Sequence, residues 1–219
     1  MTPHHLHATA ALESLRLARH HLAALARDEA ARNVWAEQLP AAPISSPAYG
    51  TRHAIGGHAD PVSGRLAVEE PPVRAVTWAT RWEIADSRLN GIARMFGIAQ
   101  THTLARIRHA IPAMLPATAA VLARHLVDED ALVRGWLDLP AYREPLPSAA
   151  CPHCGERQLV VQTAGPVEAW TVVCATGRLC TGAGCPCEME GAVEGVPHIW
   201  PRAVVLGAVA GAAPASPNN

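Results

Sequence analysis

The chain has 219 residues, 49% of them hydrophobic, enough for one large domain or two small ones with packed cores. Its formal net charge of −1 at pH 7 excludes a global field that would draw in nucleic acid or an anionic membrane, so any such contact needs a local patch. No apolar run is long enough to span a bilayer, and the start MTPHHLHATA has neither the basic nor the apolar part of a secretory signal, which predicts a cytoplasmic protein.

All 18 basic residues are Arg, and Ala, Gly and Pro are abundant, as expected of GC-rich coding. Arg enrichment of this origin says little about phosphate recognition. From about Thr9 to Gln38, the residues Leu15, Ala18, Leu22 and Leu25 recur on one helical face, and Pro40 closes the segment. Its other faces mix Arg16, Arg19, Arg27 and Arg32 with Glu13, Asp28, Glu29 and Glu37. The helix is therefore neutral and is expected to pack on later helices.

Residues 40–72, rich in Pro, Gly and Ser, read as a long loop. Within it HAIGGHADPVSG sets His53, His58 and Asp60 beside a Gly pair, which reads as an irregular connection before it reads as a ligand loop. A GxxxxGK[ST] phosphate loop is excluded because the chain has no Lys.

Trp78, Trp82, Ala85, Leu89, Ile92 and Phe96 step by four and three, a helix-packing seam that Gly97 stops. Two more helices are expected, over Thr103–Met114 and Ala117–Leu139. In the last, Leu122, Leu126, Val133 and Trp136 form the buried face, with Asp128, Glu129 and Asp130 marking a solvated one. The expected fold is mainly α: a four-helix domain over 1–142, a Pro-rich linker at 143–150, a small β-hairpin domain at 151–206 and a flexible tail at 207–219.

All six cysteines lie between Cys151 and Cys187. In Cys151-Pro-His-Cys154-Gly two intervening residues bring both sulfurs to one ion, and Gly155 lets the backbone turn. QLVVQT and AWTVV, separated by Ala164-Gly165-Pro166, read as a hairpin that returns the chain with Cys174 as third ligand. CPHCG, a hairpin and then VVC resembles a zinc ribbon over residues 151–200. The second half departs from the usual CxxC, so the fourth ligand is a choice among Cys180, Cys185 and Cys187; Cys180 is favoured because a Gly-containing loop joins it to Cys174. One structural Zn2+ is expected. The remaining two cysteines are free, paired with each other, or part of a second site with His198. Disulfides and an iron–sulfur cluster are the competing readings of so many cysteines, and the tight knuckle with its hairpin favours zinc.

From Cys151 to Trp200 the chain carries Arg157 and Arg178 against Glu156, Glu168, Glu188, Glu190 and Glu194. An acidic ribbon repels phosphate and suits a protein partner. Between Arg81 and Arg124 the balance reverses, with Arg81, Arg88, Arg94, Arg106, Arg108 and Arg124 against Glu83 and Asp86. There LNGIARMFGIAQTHTLARIRHAI resembles a helix-turn-helix with a lengthened turn. That resemblance implies that Gln100, Thr101 and His102 begin a recognition helix, with Arg106 and Arg108 near phosphates or base edges; an ordinary helical hairpin is the alternative.

The layout as a whole, with its Arg-only composition and terminal CPHCG ribbon ending in HIWPR, resembles uncharacterised actinobacterial or actinophage proteins. GxSxG, HExxH and Gly-rich phosphate motifs are all missing, so no enzyme is expected. The reading is a non-enzymatic protein that binds DNA or acts in regulation through its helical block. The alternative is a protein-interaction or phage-assembly component without nucleic-acid contact; neither reading calls for a membrane or a small-molecule substrate.

Overall fold

A computed structural model describes residues 1–38 and 76–211, with side chains described over 1–35 and 76–206. The chain is mainly helical, with a small four-stranded antiparallel sheet toward its C-terminal end. Helix α1 spans Pro3–Gln38, α2 Trp78–Met95, α3 Thr103–Ala110 and α4 Pro116–Leu137. The strands are β1 (Arg143–Pro145), β2 (Leu159–Gln162), β3 (Thr171–Cys174) and β4 (Ile199–Pro201), and α5 (Arg202–Gly211) follows.

Helix α1 begins six residues earlier than the apolar stripe suggests. Pro3 suits a first helical position, where an N–H would have no partner, and the Thr2 carbonyl accepts from the N–H groups of His5 and Leu6. The stripe accordingly extends backward to Ala8, Ala11 and Leu12, and with Leu15, Ala18 and Leu22 it is almost fully buried. Alanines on this face let α4 approach closely, and Leu122, Ala123, Leu126 and Val133 meet them there.

Helix α2 starts where Thr77 Oγ1 accepts from the Thr80 N–H (3.1 Å). It stops by a Schellman closure: Ile98 N–H donates to Ala93 O, Gly97 N–H donates to Arg94 O, and Gly97 has the left-handed φ of 67° that this closure needs. Ala85, Leu89 and Ile92 are buried, with Trp78, Trp82 and Phe96 packed around them.

Several charges expected on solvated faces are inside. Glu13, Arg19, Glu129 and Asp130 are buried, and only Asp128 of the acidic trio is exposed. Each buried charge is paired, as the low-polarity interior demands. Ser14 Oγ donates to Asp130 Oδ2 (2.6 Å), and Arg134 Nε donates to both Asp130 oxygens. Arg134 also donates to the carbonyls of Ser14 and Pro140 and lies over the Tyr142 ring. Arg19 bonds Asp86 (2.9 Å) across the Trp82 face, and Arg88 bonds Glu129 (2.6 Å). Helical periodicity had put Glu129 and Asp130 on the wrong side because α1 and α2 together cover a wider arc of α4 than its leucines mark.

The sheet is a meander in the order β1-β2-β3-β4. Its outer strand β1 comes from the segment expected to be a linker: Arg143–Pro145 pairs with Val160–Gln162, so 143–150 opens as sheet. Helix α5 likewise runs through Gly211, into the stretch expected as a tail. A second small core contains Ala149, Leu159, Val172, Trp200 and Val205. The sheet region packs against the first turns of α1. His7 Nδ1 hydrogen-bonds Thr171 Oγ1 (3.0 Å), and Gly191 lies so close to Thr2 that a Cβ there would be 2.9 Å from Thr2 Cγ2.

Candidate metal centre

The Cys151–Cys154 turn forms as the knuckle requires. Gly155 N–H donates to Cys151 O (2.9 Å), and Cys151 N–H donates to Glu156 O (2.8 Å), which turns both sulfurs toward one point. Antiparallel pairing of β2 and β3 sets Leu159 opposite Cys174, so the hairpin delivers Cys174 beside the knuckle. Cys154 Sγ and Cys174 Sγ are 3.8 Å apart. Two thiolates about 2.3 Å from a shared tetrahedral ion sit roughly 3.8 Å apart. A disulfide would need about 2.05 Å, and all six cysteines are free.

Cys180 does not join this group. Its N–H donates to Val196 O (2.8 Å), its carbonyl accepts from Gly195 N–H (2.9 Å), and Leu179 bridges Pro197, so the backbone holds Cys180 against the segment that leads to His198. There Cys180, Cys185, Cys187 and His198 form a second cluster whose ligand atoms lie within 4.8 Å of one another. Cys185 and Cys187, the other candidates for a fourth ligand, belong to it too. The first cluster holds Cys151, Cys154 and Cys174.

The second cluster has the donor spacing of a site that could hold a cation. Cys180 Sγ is 3.9 Å from Cys187 Sγ, the spacing of two thiolates on one ion. Cys185 Sγ is 3.2 Å from His198 Nε2, a few tenths of an ångström closer than two ligands of a common zinc. Gly182 N–H donates to Cys180 Sγ (3.4 Å), an amide that stabilises a thiolate. His198 is completely buried, and its ring stacks on that of His153 at 3.9 Å. The hydrogen bond from His198, followed by backbone N–H groups, pulls the Cys185 thiol down to about 5. Burial, followed by the neighbouring Cys185 and Cys180 sulfurs, pushes Cys187 up to about 11.

Sequence reasoning left His198 as an option and missed that it completes a four-donor set. The available signal was the Cys180-x4-Cys185-x-Cys187 spacing followed by a His just before the apolar strand β4. Counting seven donors as four plus three would have exposed it.

The residues expected to meet DNA are divided. Gln100, Thr101, His102 and Arg106 are exposed around the α2–α3 connection and first turn of α3. His102 is left-handed (φ 53°), and Arg106 Nε donates to Thr101 O (3.0 Å). Arg108 instead pairs with Glu13 of α1. The connection between α2 and α3 runs from Phe96 to His102, longer than the usual helix-turn-helix turn. His53, His58 and Asp60 lie outside the described residues.

No family model, curated protein or solved structure matches the chain. No helix among the described residues is long and apolar enough to cross a membrane.

Proposed function

We propose that the region from Cys151 to Trp200 is a two-zinc structural module and that the protein works by binding rather than by catalysis. The observation that carries this reading is the Cys180, Cys185, Cys187 and His198 set, a full tetrahedral complement of zinc-type donors within 4.8 Å of one another. Zinc suits three thiolates and one imidazole, and the Cys151–Cys154 knuckle is of the same chemistry. The sheet has a small apolar core, so bound metal supplies stability that the core alone does not. Zinc measured per chain after exhaustive dialysis is expected to be two, falling to one in Cys185→Ser. One zinc per chain in the unaltered protein would contradict the reading.

For the partner, two proposals follow. The exposure of Gln100, Thr101, His102 and Arg106 on one corner of the helical part supports a DNA contact there. Arg108, occupied by Glu13, contributes less. A mobility shift that weakens with salt and is lost in Arg106→Ala tests this, and no shift at low salt sinks it. In the module, Glu156, Glu168, Glu188, Glu190 and Glu194 are all exposed, which supports a protein partner for that face.

A further inference from the structure

The two clusters differ in completeness. Three thiolates and an imidazole close a tetrahedral ion in the second. In the first, the group is Cys151, Cys154 and Cys174: among the described residues no other Cys, His, Asp or Glu brings a ligand atom within 4.8 Å of all three sulfurs. The nearest His in sequence, His153, lies between two of the ligands, yet its ring is stacked on His198 of the other cluster. Thr176 Oγ1 is 3.1 Å from Cys174 Sγ, a hydrogen-bond contact to the sulfur. Cys151 and Cys174 are buried, whereas Cys154 is only half-buried and opens the cluster to solvent on its side.

We propose that the Cys151, Cys154 and Cys174 site binds its ion with one exchangeable position, occupied by water and open to a small thiol from solution. This rests on the two-ion reading above. The open position follows zinc chemistry, in which three protein ligands leave a fourth place for an external donor and soft thiolates compete well for it. Binding is a ligand exchange: the thiol loses its proton to buffer, its sulfur takes the metal's fourth position, and water leaves.

Loading the full chain with 113Cd gives one NMR signal per site. Two signals are expected, and titration with 2-mercaptoethanol is expected to move one of them toward the four-thiolate position while the other stays still. Cys154→Ser removes the responsive signal and Cys185→Ser the unresponsive one. If either variant fails to fold, the titration of the unaltered protein still decides. Two signals that both ignore saturating thiol would overturn the proposal and leave the two-ion reading intact, since a protein donor then fills the position. Movement of both signals would overturn it too, because the Cys3His site would no longer be the closed one. A single signal with one cadmium per chain would sink the two-ion reading itself.

Discussion

The helical part and the sheet module reach order by different routes. In the first, α1 lays an Ala- and Leu-rich stripe along α4, and the buried charges of Asp130, Arg134, Arg19 and Glu129 find partners across helices. Apolar area supplies the stability, and the ion pairs fix which faces meet. In the second, four strands of three or four residues enclose a small core, and six cysteines with His198 gather into two clusters. A sheet this small needs cross-linking from within, and in the proposed reading bound metal would supply it. The two halves should therefore respond to different insults.

The largest expected effect is metal removal. Structural zinc contributes roughly 10–16 kcal/mol in small zinc-dependent folds at neutral pH. A strong chelator should therefore abolish the tertiary signal of Trp170 and Trp200 while most of the far-UV helical signal persists. Loss of both together would show that the helical part also depends on the metal. Next, Asp130→Ala strands the Arg134 guanidinium among α1, α4 and Pro140, and is expected to cost about 3–5 kcal/mol in denaturant unfolding with metal content unchanged. Leu126→Ala, which opens a void beneath α1, should cost about 2–5 kcal/mol by the same measurement.

The smallest effect probes the seam between the halves. Burial, followed by the nearby Arg143 and His4, lowers His7 from 6.5 to about 4. The unfolded chain then takes up a proton below pH 6.5 while folded His7 stays neutral until about pH 4. The stabilisation is thus present above pH 6.5 and lost as pH falls toward 4. His7→Asn should flatten stability against pH across that window, by on the order of 2 kcal/mol once the ring's partial exposure is allowed for. An unchanged slope would place the proton uptake elsewhere.

Much of the architecture was legible in the residues. The Trp78 to Phe96 seam, its Gly97 stop and the hairpin between Cys154 and Cys174 follow from periodicity and local turn chemistry, and the structure holds them where expected. The Cys151, Cys154 and Cys174 group was readable for the same reason, because a knuckle and a short hairpin are local. Cys180 was assigned to the wrong neighbours because loop length alone does not say which way a loop folds. Its backbone pairing with Gly195 and Val196, far along the chain, decides that. Strand β1 was taken for a linker because REP lacks apolar alternation; an exposed edge strand needs none, since it buries neither face.

The sequence by itself determined that helices follow the Leu15 and Trp78 stripes, that α2 stops at Gly97, and that Cys151, Cys154 and Cys174 come together, since these depend on contacts close along the chain. Tertiary structure alone decided that seven donors divide into four and three, that Glu129 and Asp130 turn inward, and that the first turns of α1 pack against the sheet. Each of those outcomes depends on pairings across long stretches of chain, such as Ser14 with Asp130 or Cys180 with Val196, and periodicity carries no information about which distant surfaces meet.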